Sequence, residues 1–319
     1  MRRFDIGVIG VGYWGRKIVD EYGGIPGVKV RGVADIDEKN LEYCKERYGI
    51  EILTPDYHEL LEDESIIAVN VCVPNSLHYQ VCRDALNAGK HVLVEKPMTL
   101  RSDEGKELVE IARKKNLTLS VGHIYRFNNA LAEVRRLIRE RFFGRLFLMN
   151  LYWVNLEPPY PDRDVIVDLA PHYFDIINFL TDIWPARISC TARPFRRKQL
   201  EETAYIISEL PTGELATAIL SWLAPRKTRQ IEIVGERRCC VIDAVAQEVT
   251  VYESGYLYKL GIERNNTIQT ELLHFIKSIG DPLTETMNSG LIGVRTVEMI
   301  EKAKLSMTEG RTVDTDIQR

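Results

Sequence analysis

Lys96 closes the run His91-Val-Leu-Val-Glu95-Lys96-Pro97-Met98, a buried-strand pattern in which a cation has little structural reason to appear. Upstream the chain reads Gly10-Val-Gly12-Tyr13-Trp14-Gly15. A glycine turn of that spacing points to a bound dinucleotide, and a lysine at a later strand end points to redox chemistry beside it. A second cluster lies in Asp168-Leu-Ala-Pro171-His172-Tyr-Phe-Asp175, whose polar residues fall at i, i+4 and i+7 on one helical face. Proline is tolerated in a first turn, so Pro171 predicts a helix that begins near Asp168, with Asp168 as its cap. His172 would then sit near a helix N-terminus, where the dipole disfavours imidazolium and suits a base working near neutral pH. Two plainer arrangements fit the same residues: a buried histidine in a capping network, and a strand-end lysine that snorkels.

The glycine turn stands in the context that such a turn requires. Phe4-Asp-Ile-Gly-Val-Ile9 reads as a buried parallel strand, and a helix follows from Arg16 to Tyr22. Gly10 permits the tight turn, Gly12 lets backbone approach a pyrophosphate, and Gly15 lets helix pack on strand. The helix N-terminus offers its N–H groups to the phosphates. Val28-Lys-Val-Arg-Gly-Val-Ala34 predicts a second strand ending at Asp35, twenty residues past Gly15. A carboxylate there accepts from the adenosine ribose 2′-OH and repels a 2′-phosphate, which favours NAD over NADP.

The elements that position these residues fall into two patterns. Strand and helix alternate through about residue 123, with helices at 37–48, 76–88 and 102–115 and strands at 66–73, 91–94 and 117–121. Asp37 is the expected cap of the first of these helices. This pattern predicts a doubly wound parallel sheet whose ligand crevice lies at the carboxyl ends of its strands, where Val73-Pro74-Asn75 and Glu95-Lys96-Pro97 stand. Beyond Gly122 a helix at 128–139 and a strand at 146–154 lead into a proline-rich loop, Glu157-Pro-Pro-Tyr-Pro-Asp-Arg-Asp164. Six strands between 186 and 253 then follow with little helix among them, which predicts an antiparallel sheet, and helices at 268–279 and 289–308 close the chain. The expected domains are 1–122, dinucleotide-binding, and 123–319, substrate-binding.

Composition fits an enzyme of two domains. The chain has 319 residues, 45% hydrophobic and 28% charged, with net charge −4. There is no basic excess to suggest nucleic acid, and Lys114-Lys115 and Arg196-Arg197-Lys198 read as solvated surface. Arg2-Arg3 runs directly into the first strand, so neither a signal peptide nor a membrane span is expected and the cytoplasm is the expected location. Six cysteines show no metal-ligand spacing: Cys72 is read mid-strand, Cys82 on a helix, and Cys239 and Cys240 are adjacent. Reduced thiols and no metal are expected.

Gly10-Val-Gly-Tyr-Trp-Gly15, Val73-Pro-Asn-Ser-Leu-His78, Glu95-Lys-Pro-Met98, Val121-Gly-His-Ile-Tyr-Arg-Phe-Asn128 and Asp168-Leu-Ala-Pro-His172 come in the order and spacing of the glucose–fructose oxidoreductase / inositol dehydrogenase / MocA family. The chain resembles that family over nearly its whole length. The resemblance implies an NAD(P)-dependent oxidoreductase with an N-terminal Rossmann domain. It also implies a C-terminal α/β domain whose large open, mostly antiparallel sheet supports homodimers or homotetramers. By the same resemblance Lys96 is the catalytic lysine, Glu95 the cofactor-ribose contact, and His172 with Asp168 the substrate-side pair. Tyr13, Trp14, Pro74, Asn75 and His78 are implied cofactor contacts; Tyr125, Arg126 and Asp164 are implied substrate contacts. The Tyr-Trp-Gly turn and the last two motifs look like the branch that oxidises nucleotide-activated sugars at C3. Two other functions share these features: glycoside cleavage by transient oxidation and elimination on the same fold with NAD, and a non-catalytic NAD-binding sensor. A sensor would need only the turn and Asp35, and the presence of both Lys96 and His172 speaks against it.

Overall fold

The structure is a computed structural model that describes residues 4–158, 160, 162–280 and 286–315. Arg2 and Arg3, and Pro159 and Pro161 of the proline-rich loop, lie outside the described residues. The chain divides into two compact units, Met1–Ile124 with Ile268–Val297, and Tyr125–Thr267 with Glu298–Arg319.

In the first unit, β1 (Phe4–Ile9), α1 (Tyr13–Gly23), β2 (Val28–Ala34), α2 (Glu38–Tyr48), β3 (Ile52–Thr54), α3 (His58–Glu62), β4 (Ile66–Val71), α4 (His78–Asn87), β5 (His91–Val94), α5 (Ser102–Lys115) and β6 (Leu119–Val121) alternate along the chain. The six strands run parallel in the order β3-β2-β1-β4-β5-β6, so the strand order reverses between β1 and β4. That is the doubly wound order in which dinucleotides bind at the reversal. Its apolar runs are buried, with Val8, Val33, Val69 and Val92 wholly enclosed. Asp37 caps α2 by accepting from the Lys39 N–H at 3.0 Å. The short β3 and α3 carry too few periodic residues to be read from sequence. Cys72 follows β4 instead of lying within it, and a 3₁₀ turn at Asn75–Leu77 delays the next helix to His78.

The second unit holds α6 (Asn129–Arg139), β7 (Leu146–Leu156), α7 (Val165–Thr181), β8 (Arg187–Arg193), β9 (Thr203–Glu209), β10 (Leu215–Ser221), β11 (Leu223–Gly235), β12 (Cys239–Asp243), β13 (Glu248–Glu253), β14 (Tyr256–Lys259) and, after the last helices, β15 (Val313–Asp314). The nine strands form one sheet in the order β14-β13-β12-β11-β7-β10-β9-β8-β15. All its pairs are antiparallel except β7 with β10, which are joined through α7, β8 and β9, a connection long enough to bring the chain back in the same direction. Residues alternate strictly along β8 and β9: Ile188, Cys190, Ala204 and Ile206 turn inward, Tyr205 and Ile207 outward. The inner face packs on α6 and α7.

Of the closing helices α8 (Thr267–Gly280) and α9 (Gly290–Glu309), α8 lies on the dinucleotide-type unit and not in the C-terminal one where its sequence position put it. Its Leu272 and Phe275 join Ile6, Val8 and Ile18 in one buried cluster, and that apolar stripe decides the placement. Among the described residues no helix is long and apolar enough to cross a membrane.

Candidate active site

The glycine turn separates internal packing from ligand space. Gly10 has φ +85°, and a Cβ on it would lie 2.7 Å from the Cys72 carbonyl oxygen. A Cβ on Gly15 would lie 2.0 Å from the Gly10 oxygen. Around Gly12 nothing lies within 4 Å of such a Cβ, and Gly12 caps α1 with no side-chain hydrogen bond. Packing therefore explains Gly10 and Gly15, whereas Gly12 leaves room at an uncapped helix N-terminus, which fits a pyrophosphate. Asp35 follows β2 directly and braces the turn: Oδ2 accepts from the Val11 N–H at 2.7 Å and Oδ1 from the Asp37 N–H at 2.9 Å. Each oxygen keeps a second lone pair for a ribose hydroxyl.

At the end of β5, Glu95 accepts a hydrogen bond from the Trp14 indole N–H. A Cβ on Gly122 would come within 3.0–3.1 Å of the Glu95 carboxylate atoms, so the glycine after β6 makes room for it. Loss of hydration pushes Glu95 up to about 7, against the opposing pull of Trp14 and Lys96. Lys96 itself is half-buried, and the Lys96–Pro97 bond is cis. Pro74 and Asn75 open the 3₁₀ turn after β4. Tyr13, the first residue of α1, is 78% exposed with Lys17 over its ring. His78, expected against the cofactor, is wholly buried; its ring nitrogens lie 2.8 Å from the Pro97 oxygen and 3.0 Å from the Val73 oxygen. It ties two strand ends together, which makes it a brace in place of a contact.

In the second unit, α7 begins at Val165, earlier than the position of Pro171 predicts. Asp164 is its cap, accepting from the Val167 N–H at 2.8 Å, and Lys304 pairs with the other oxygen at 2.7 Å. Burial of Val165 and Ile166 on the sheet extends the helix backwards and leaves Pro171 inside it. His172 consequently lies in the second turn, beyond the reach of the helix dipole that the sequence reading invoked. Asp164, expected against substrate, is occupied by capping. Arg126 is also withdrawn: 5% exposed, it donates to Asp175 at 2.6 Å and to Asn178 at 2.7 Å. The i+7 position at Asp175 thus serves a buried ion pair.

What remains around His172 is a compact cluster. The Tyr125 ring meets His172 edge-on at 5.1 Å and Trp153 at 4.9 Å. One turn before His172, Asp168 accepts from the Trp222 indole N–H at 3.3 Å and lies 3.6 Å from Arg163 Nε. Tyr160 stands edge-on to Trp222 at 5.1 Å, and its hydroxyl donates to Glu157 at 3.2 Å. Sequence reading missed Trp153, Trp222 and Gly122. Trp222 had a signal, a large aromatic between two strand patterns; Trp153 is an ordinary inward strand position. Among the described residues no group of His, Cys, Asp or Glu is placed to hold a metal ion.

Residues 4–123 match the oxidoreductase family with an NAD-binding Rossmann fold, GFO/IDH/MocA, and residues 131–240 match that family's C-terminal domain. The UDP-N-acetylglucosamine 3-dehydrogenase of Acidithiobacillus ferrooxidans is 30% identical over 254 residues, 78% of this chain and 77% of that one. The chain belongs to this family. Another of its relatives, the myo-inositol 2-dehydrogenase of Thermotoga maritima, is 25% identical over 97% of each chain. The solved UDP-N-acetylglucosamine 3-dehydrogenase from Acidithiobacillus ferrooxidans superposes with TM-score 0.86 at 24% identity, covering 97% of this chain and 99% of that chain, and thus shares the fold. As in the family, the Rossmann unit is an NAD-binding one, and the open space at Gly12 is where its residues fit the cofactor.

Proposed function

We propose that the protein is an NAD-dependent sugar dehydrogenase that oxidises a secondary hydroxyl, at C3, of a nucleotide-activated sugar. The observation that carries this is the His172 cluster: an imidazole flanked by aromatic rings, one helical turn after a carboxylate held by Trp222. Aromatic faces beside a carboxylate and an imidazole suit a polyhydroxylated ring, and the relatives named above act on inositol and a nucleotide sugar. NAD, when bound, supplies the hydride acceptor. His172 takes the hydroxyl proton, and Asp168 orients the basic group. Lys96 holds the substrate oxygen and the nicotinamide ribose, with Glu95 as a second ribose contact. Tyr125 packs against the imidazole and limits its rotation.

The test is turnover with NAD and a panel of UDP-, GDP- and dTDP-sugars plus free polyols, read as NADH absorbance together with product analysis. The expected outcome is stoichiometric NADH and a keto sugar. A released leaving group with no net NADH would support the oxidation–elimination glycosidase instead, and binding of NAD without any turnover would support the sensor.

The outer face of the nine-stranded sheet suits a homodimer or homotetramer. Tyr205, Ile207, Leu148 and Leu215 are exposed there on adjacent strands, an apolar patch that calls for a cover. Tyr205→Glu with Ile207→Glu should convert the assembly to monomer in light scattering; an unmodified protein that is already monomeric at micromolar concentration rejects this interface.

A further inference from the structure

Among the described residues two arginines are buried, and their surroundings differ. Arg126 is paired with Asp175 at 2.6 Å. Arg229, 9% exposed on β11, has no carboxylate within 4.0 Å among the described residues. Its guanidinium donates to the Val154 and Thr228 carbonyls at 2.9 Å each and to the Asn155 side-chain oxygen at 3.2 Å, all of them neutral acceptors. A buried cation whose direct acceptors are all neutral is costly, and an anion that completes the site lowers that cost.

The location is specific. Arg229 is the cross-strand partner of Trp153, so it stands on the inner face of the sheet beside the ring that packs on Tyr125 and lies near His172. It lies 5.6 Å from the Trp153 ring centroid. It also influences Tyr125: burial raises the hydroxyl's pKa and Arg229 opposes that rise. Burial depresses the pKa of Arg229, and it outweighs Tyr125, which also hydrogen-bonds the guanidinium, and Asp168 and Glu157, which act on it through space. A guanidinium over an aromatic ring, with its donors beside a sugar-type cluster, suits a planar anionic oxygen pair.

We propose that Arg229 is the anion-recognising residue of the second unit, taking a carboxylate or phosphate oxygen of the substrate and thereby selecting an acidic sugar or a sugar phosphate over a neutral one. This rests on the sugar-dehydrogenase reading and extends it to substrate charge.

The experiment is calorimetric titration of the NADH-loaded protein with D-glucose, sodium D-glucuronate and D-glucose 1-phosphate. The unmodified protein should bind one of the two anions at least about tenfold more tightly than glucose. Glucuronate as the favoured probe assigns a ring carboxylate, glucose 1-phosphate a phosphate. Arg229→Gln should reduce the anion-to-glucose ratio to near unity, and Arg229→Lys, which keeps the charge and loses the planar fork, should retain part of it. Equal binding of the three probes, no detectable binding of either anion, or a preference that survives Arg229→Gln would overturn the proposal. If the glutamine variant does not fold, the folded lysine variant decides: a reduced preference supports the proposal and an undiminished one overturns it. A charge preference that depends on Arg229 without turnover of any nucleotide sugar would defeat the substrate reading above and leave this one standing.

Discussion

Trp14, in the first turn of α1, donates its indole N–H to Glu95 at the end of β5, so the phosphate turn and the strand end that carries Lys96 are tied directly. The carboxylate in that tie is pushed up to about 7 by lost hydration, far above an ordinary glutamate.

A raised carboxylate pKa has a definite sign in stability. The folded protein binds the Glu95 proton more tightly than the unfolded chain, so stability falls as pH rises from the unfolded value near 4.5 to about 7 and is level outside that window. Glu95→Gln, measured by urea unfolding, should therefore gain stability relative to the unmodified protein as pH rises across this window, on the order of 3 kcal/mol by pH 8. A stability difference independent of pH would place the carboxylate in water.

The glycines of the turn should separate by phenotype. Gly15→Ala drives a Cβ to 2.0 Å from backbone and should destabilise the fold by on the order of 2 kcal/mol. Gly12→Ala meets nothing within 4 Å; its unfolding midpoint should be unchanged while NADH affinity falls by about tenfold or more. Fluorescence titration together with thermal unfolding checks both.

Asp35 should set the cofactor. NAD should bind at least about tenfold more tightly than NADP, about 1.4 kcal/mol, and Asp35→Ser should erode the preference. Tighter NADP binding by the unmodified protein would defeat the assignment.

For Lys96→Ala, NADH affinity should stay within a few-fold while turnover falls by about a hundredfold or more. Normal turnover in a folded, NADH-binding variant would make the lysine structural.

The proton is best followed by pH. If His172 is the base, oxidation rises with pH through one ionisation, and His172→Asn abolishes that limb while keeping much of the shape. Asp168→Asn should have the smaller effect, since it orients the basic group and does not take the proton. An unchanged limb in His172→Asn transfers the role to Lys96.

The parts legible in sequence were those fixed by local chemistry. Gly10 and Gly15 announce the turn because backbone sterics forbid other residues there, Asp37 announces α2 because it caps its own neighbours, and period-two alternation announces β8 and β9. What failed were inferences that needed tertiary contacts. Pro171 suggested a helix start because an interior proline is costly in isolation, but packing of Val165 and Ile166 and the Asp164 cap outweigh it. Arg126 and Asp164 look like site residues in a motif, yet one has a buried carboxylate partner and the other a helix end and Lys304. His78 likewise has the composition of a contact and the burial of a brace. Arg229 gave no local signal, because only the folded sheet shows that its direct acceptors are neutral groups.

The parallel pairing of β7 with β10 has a consequence for motion. The two strands meet only after the intervening chain, α7 included, has been wound back between them, and closing so long a loop is entropically expensive and slow. The helix that carries Asp168 and His172 is thereby enclosed within that connection and almost wholly buried. It cannot fray alone, since releasing it uncovers the middle strands beneath. Its amides should exchange with deuterium as slowly as those of β7, so the proposed catalytic pair rides on the part of the unit that opens last.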